Sequence, residues 1–350
     1  MKLCPQCDAR YSDDVAFCGA DGLTLHDVTP SDPLRDLVVD DGYRLGSVLG
    51  RGGFGTVYRA SHSKKPGVFA VKVLRADRAR DPEQVGRFRR EIRAAAALRH
   101  PHVVEILAFG HDDRAGYYVV MPLLVGLTLH DRLRSGRLPL DQVDAILRQT
   151  TLALAIAHEN GVVHRDVKTE NVFLERLAPD PLPSKRGPEG EASLLLPPMH
   201  IHVRLLDFGL AKLLKGYNPA ISESWDVKTR PRQVLGSPLT MSPEQVLSQD
   251  VDGRSDLYSL GVVLFEMLTG TLPFDDEKPG YVMRKHVFEP PPLASQRPGC
   301  AWVPPALDAL VQQVLAKRPS HRPQSTAELL AAWAAAWPEA WTAWQGRTPS

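Results

Sequence analysis

Residues 50–55 read Gly-Arg-Gly-Gly-Phe-Gly, and what flanks them limits the fold more than any other feature of the chain. A G-x-G-x-x-G spacing also marks dinucleotide-binding turns, but there the glycines must lead from a strand into a helix. Here the flanking runs, Tyr43 to Leu49 and Thr56-Val57-Tyr58, are both apolar or β-branched and strand-like. The pattern predicts a glycine-rich β-hairpin whose backbone N–H groups can close over phosphates, since no side chain holds them away.

The hairpin opens a series. Val68 to Leu74 reads as a further strand, and Pro82 to Leu98 as an amphipathic helix with Val85, Phe88, Ile92, Ala95 and Leu98 at helical spacing. Val103 to Phe109 and Tyr117 to Met121 return to strand character, and beyond Gly126 long helical segments are expected near 140–159, 255–268 and 304–316. A strand-rich lobe followed by a larger helical one is an α+β arrangement, with a ligand cleft expected between the halves. Composition agrees, because 42 Lys+Arg against 41 Asp+Glu and 43% hydrophobic residues exclude collagen-like, disordered and disulfide-framework classes. A net charge of +1 gives no reason to expect nucleic acid or an anionic membrane as partner. Without a signal-peptide pattern or an uninterrupted apolar run of membrane-spanning length, no membrane span and a cytoplasmic location are expected. The 30 prolines are more than the average of about 5%, and their cluster predicts a loop insertion at about 178–200.

One lysine, Lys72, sits in the apolar strand Phe69-Ala70-Val71-Lys72-Val73. A buried ammonium needs a partner, and Glu91 on the expected helix is the candidate. Further along come His164-Arg165-Asp166-Val167-Lys168-Thr169-Glu170-Asn171, then Asp207-Phe208-Gly209, Ser242-Pro243-Glu244, Asp256, Gly261 and Arg322. This ordered set, across 43–335, resembles the protein kinase superfamily, and the chain looks like the bacterial, eukaryotic-like serine/threonine protein kinases. Lys168, two residues after Asp166, is similar to the serine/threonine branch.

The resemblance implies a bilobal protein kinase fold, a small antiparallel β lobe plus a larger helical lobe, acting on ATP, Mg²⁺ and protein Ser/Thr hydroxyls. It makes Asp166 the acceptor of the substrate proton, Asn171 and Asp207 the Mg²⁺ ligands, and Lys168 and Lys72, held by Glu91, the cations on the phosphates. Leu49, Gly50, Arg51, Gly52, Gly53, Phe54, Gly55, Thr56 and Val57 would cover the nucleotide, while Ala70 and Phe173 would sandwich adenine with Val57. Met121 and Leu123 would belong to the hinge, where Pro122 has no N–H to donate. Arg165 implies an activation segment, residues 207–244, ordered by autophosphorylation at Ser222, Ser224 or, first choice, Thr229, with Ser237 bonded to Asp166. The alternative, a kinase-like signalling scaffold that binds nucleotide or partners without phosphotransfer, is disfavoured because Lys72, Glu91, Asp166, Asn171 and Asp207 are all present.

The ends read differently. Cys4-Pro5-Gln6-Cys7 and, after ten intervening residues, Cys18 resemble a small zinc ribbon over 1–27, with Asp21 in the slot of a fourth ligand and His26 as the alternative. Such a module would bind a partner protein rather than nucleic acid, Lys2 and Arg10 being its only permanent cations. Residues 28–42 are an acidic, proline-punctuated linker and 336–350 a C-terminal tail. Trp333, Trp337, Trp341 and Trp344 share one helix face, expected to pack on the helical lobe, with Pro338 interrupting or restarting the helix.

Overall fold

The computed structural model describes residues 2–346 apart from 5–8, 13, 17, 20–24, 28–31, 41, 53–54, 75–81, 177–200 and 209–237. The proline-rich insertion, the hairpin tip Gly53-Phe54, Gly209, the three expected phosphorylation sites, Ser237, Cys7 and Asp21 therefore lie outside the described residues.

Strands β1 (Lys2–Leu3), β2 (Arg10–Tyr11) and β3 (His26–Asp27) form a small antiparallel sheet of order β2-β1-β3, beside a cluster of Cys4, Cys18 and Leu25. The next sheet begins earlier than expected. Strand β4 (Val38–Val39) pairs with β5 (Tyr43–Gly52), which continues through β6 (Gly55–His62), β7 (Val68–Leu74), β8 (Ala108–Asp112) and β9 (Gly116–Pro122) in the order β4-β5-β6-β7-β9-β8. Within the stretch 28–42, Val38 and Val39 form the edge strand, and Leu34, Leu37 and the buried Val39 cluster with Tyr43, Leu45 and Tyr58. Alternation along β7 sends Val71 and Val73 to that outer cluster, while Ala70 and Leu74 turn toward the cleft and the larger core. At Gly55 an added Cβ would land on the Val73 carbonyl, so the crossing of β6 over β7 admits only glycine.

The strand expected at Val103 to Phe109 starts only at Ala108. Val103 makes a single parallel bridge to Leu205, and Val104 donates to the Leu205 carbonyl. Helix α1 (Pro82–Ala97) buries Ile92 and Ala95 as its spacing required. A second small sheet, β10 (Gly126–Thr128), β11 (Val172–Glu175) and β12 (His202–Leu205), carries the chain into and out of the cleft.

The helical lobe comprises α2 (Leu129–Arg134), α3 (Leu140–Glu159), α4 (Pro243–Val246), α5 (Gly253–Thr269), α6 (Pro279–Phe288), α7 (Pro305–Val314) and α8 (Thr326–Gln345). Helix α5 is buried along nearly its whole length and centres the core. Helix α8 runs unbroken through Pro338 and carries residues 336–345 with it. Its Ala336 and Ala340 are buried, and Trp337, Trp341 and Trp344 pack against the core. No helix among the described residues is long and apolar enough to cross a membrane.

Trp333 is 0% exposed and its indole N–H donates to Asp144 Oδ1 of α3 at 2.6 Å. Trp333→Phe keeps most of the ring but loses this charge-assisted bond and some volume. It is expected to lower stability by about 2 kcal/mol, measured by denaturant unfolding.

Candidate active site

The loop 164–171, between α3 and β11, holds a strained residue. Arg165 has φ 65°, the left-handed region that costs a non-glycine residue about 1–3 kcal/mol. Asp256, in the first turn of α5 and 1% exposed, offsets that cost. Its Oδ2 accepts the His164 N–H at 2.8 Å and its Oδ1 the Arg165 N–H at 2.7 Å, with His158 Nε2 at 2.8 Å from Oδ2. Gln245 Nε2 adds a bond to the Arg165 carbonyl at 2.9 Å.

His164 is fixed as a neutral tautomer by its neighbours. Nε2 faces the Leu206 carbonyl at 2.8 Å, which can only accept, while Nδ1 accepts the Asp166 N–H at 3.2 Å. Complete burial pushes its pKa down, which agrees. Its ring lies 4.7 Å from that of Phe208.

Asp166 is held from two sides. Its Oδ2 lies 3.1 Å from Asn171 Nδ2 and 3.2 Å from Lys168 Nζ, and Asn171 Nδ2 also donates to the Asp166 carbonyl at 2.7 Å. Because the Asn171 amide nitrogen is engaged, its oxygen is left for a cation. Burial pulls the Lys168 ammonium down, but the carboxylates of Asp166, Glu170 and Asp207 outweigh it, so its pKa is raised and it stays charged.

The structure pairs the remaining charges differently from the expectation. Lys72 Nζ lies 2.5 Å from Asp207 Oδ2, and Glu91 Oε2 turns to Arg165 Nη1 at 3.5 Å. Asp207 reaches Lys72 through its own left-handed conformation, φ 54°. With two cations and two carboxylates in reach, the chain satisfies them crosswise, and the Lys72 to Glu91 pair is not made.

The cover of the cleft also sorts itself. Val57 is in register with Lys72, and Ala70 with Met121, which places these four on the cleft face of the sheet. Phe173, opposite Thr128 on β10, and Leu49 are half-buried. Leu123, half-buried, gives its N–H to the Val68 carbonyl at 3.3 Å. Arg51 and Thr56 pair with each other and alternate with Val57, so their side chains are on the outer face, away from Lys72. At Gly50 and Gly52 an added Cβ would meet nothing within 4 Å, so packing of the chain does not demand glycine there. That open space, above a lysine and two hard-oxygen donors, fits a polyphosphate and its Mg²⁺.

Gln245 went unnoticed in the sequence. Its signal was the S-x-x-Q box Ser242 to Gln245 that caps α4. At the N-terminus Cys4 and Cys18 are buried, and the Tyr11 hydroxyl lies 3.1 Å from Cys18 Sγ. Among the described residues no group of three His, Cys, Asp or Glu stands close enough to hold a metal.

A family profile described as "Protein kinase domain" matches residues 43–334. The chain belongs to the protein kinase domain family. It is 35% identical over 285 residues to the serine/threonine-protein kinase pkn3 of Myxococcus xanthus, covering 81% of this chain and 48% of that protein. It is 38% identical over 295 residues to the serine/threonine-protein kinase PknB of Mycobacterium leprae (strain TN), covering 83% and 42%. The chain thus spans under half the length of these curated relatives. The solved PknI kinase domain of Mycobacterium tuberculosis superposes with a TM-score of 0.62 at 26% identity, over 86% of this chain and 98% of that one.

Proposed function

We propose that the chain is an ATP-dependent protein kinase that transfers the γ-phosphoryl group to serine and threonine hydroxyls of proteins, itself included. The observation that carries this is the juxtaposition of Asp166, Lys168 and Asn171 within 3.2 Å, beside Lys72 and Asp207. Asn171 and Asp207 would hold Mg²⁺, which neutralises phosphate charge and orients the nucleotide when bound. Asp166, kept in place by Asn171 and Lys168, accepts the proton of the attacking hydroxyl and aims it in line. Lys168 supplies a point charge near the transferred group. Lys72 grips the other phosphates once it leaves Asp207 for Glu91. That exchange requires Arg165 to release Glu91, and a phosphate in the segment 207–244, Thr229 being the first choice, is the acceptor that would draw the guanidinium away.

Incubating the full chain with Mg²⁺ and γ-labelled ATP should label it, and a generic protein substrate, on serine and threonine and not on tyrosine. Absence of label in the unaltered chain, with nucleotide still bound, would favour the scaffold reading. Phosphopeptide mapping should place phosphate between 210 and 235; none there would remove the activation-segment part.

The N-terminal sheet is too small to be held by its own core, as short segments below about 40 residues usually are. We extend the proposal to a structural zinc on Cys4, Cys7, Cys18 and Asp21, and to a protein partner for this module. The burial of Cys4 and Cys18 in one cluster supports it. Metal analysis of the gently purified chain should give equimolar zinc, and a metal-free result would overturn it.

A further inference from the structure

The residues ahead of the family match reach the glycine-rich hairpin from its far side. Asp32 has a side chain only 7% exposed, and its carboxylate collects several donors. The Tyr58 hydroxyl lies 2.9 and 3.0 Å from its two oxygens, Arg51 Nη2 donates to Oδ2 at 2.7 Å, and the Leu34 N–H to Oδ1 at 3.0 Å. The segment bearing Asp32 is itself fixed to the sheet. Asp36 donates to the Leu45 carbonyl at 2.8 Å, Leu45 to the Leu37 carbonyl at 2.9 Å, and Arg114 Nη2 to the Pro33 carbonyl at 3.2 Å.

Arg51 stands between Gly50 and Gly52, whose backbones border the open space described above. Pairing with β6 holds residues 50–52 through the backbone, and Arg51 is the one long side chain among residues 50–53 that can add a further handle. An exposed ion pair alone would hold it weakly. Here the acidic partner is buried and braced by Tyr58, so the guanidinium meets a preorganised acceptor. Burial first, and then the bond to Asp32, raises the Tyr58 pKa, so the phenol stays a donor throughout the working range.

We propose that Asp32 is a positioning residue for the glycine-rich loop: by tethering Arg51 on the outer face of the sheet, it sets the height of backbone 50–52 over the nucleotide. Asp32, ahead of the kinase domain, thereby helps shape the ATP site from the outer face of the sheet. The inference rests on nucleotide binding beneath residues 50–55, as proposed above.

The test is calorimetric titration of the full chain with a Mg²⁺-bound, non-hydrolysable ATP analogue, alongside steady-state kinetics. Asp32→Ala should weaken binding about fivefold and raise KM for ATP to match, with kcat reduced less than twofold. Arg51→Ala should do the same, and the double variant should be no worse than either single one, because both remove one tether. Asp32→Asn, which can still accept from Arg51, should recover part of the affinity. If the unaltered chain does not bind the analogue, the nucleotide reading itself fails. If it binds and Asp32→Ala binds equally well, or if the two losses add in full, the tether is wrong and the nucleotide reading stands. Should Asp32→Ala not fold, Arg51→Ala decides alone, since it leaves the Tyr58 bond to Asp32 intact.

Discussion

Asp166→Asn is expected to lower kcat for a protein substrate about a thousandfold while leaving ATP binding within a factor of two, within the range of 10² to 10⁴ attributed to a positioned general base. Asparagine preserves the shape. Its amide can still offer an oxygen to Asn171 Nδ2 and Lys168 Nζ, which now hold Oδ2 at 3.1 and 3.2 Å. What it cannot do is accept a proton at the moment the hydroxyl attacks. Asp166→Ala would be less informative, because it also removes the oxygen that Asn171 Nδ2 and Lys168 Nζ hold. Single-turnover phosphoryl transfer with saturating Mg-ATP measures the step directly. A variant that kept more than a tenth of the original rate would remove Asp166 from the reacting centre.

Two kinds of information differ in how far the sequence reveals them. The loop 164–171 was readable because its chemistry lies in eight consecutive residues, where spacing fixes geometry. Partner choice across the chain was not. Lys72 and Asp207 are 135 positions apart, and Arg165 and Glu91 74 apart. Nothing in spacing tells which carboxylate takes which cation when all four converge. The same limit applies inside 28–42, where acid and proline content suggests a linker. Leu34, Leu37 and Val39 also cluster with the sheet, but three scattered apolar residues are meaningful only once β5 is there to receive them. Pro338 misled through local propensity, since packing of Ala336, Ala340 and the tryptophans on the core outweighs one lost helical bond.

Arg322→Met should destabilise the helical lobe by about 3–5 kcal/mol, the cost of leaving a buried carboxylate without its counter-charge. Arg322 is 0% and Glu244 3% exposed on their side chains, and the pair is bidentate at 2.7 and 2.8 Å. The remaining guanidinium protons go to the carbonyls of Ala316 at 2.8 Å, Arg254 at 3.0 Å and Lys317 at 2.9 Å, so all its donors are used. Ser255 Oγ adds a bond to Glu244 Oε1. Burial pushes the Glu244 carboxyl up, but Arg322 and Ser255 outweigh it and hold the pKa below the ordinary glutamate value. Its contribution to stability is therefore complete above the unfolded glutamate pKa and is lost as pH falls through the lowered folded value. Glu244→Gln should flatten that acid limb of the stability profile. Combined with Arg322→Met it should cost less than the sum of the two, since no uncompensated charge remains. The consequence reaches the cleft, because Glu244 and Gln245 are neighbours on α4 and Gln245 holds the Arg165 carbonyl. Loosening this anchor should relax the strained loop at Arg165, so kcat should fall in Arg322→Met even at temperatures where circular dichroism shows the chain still folded.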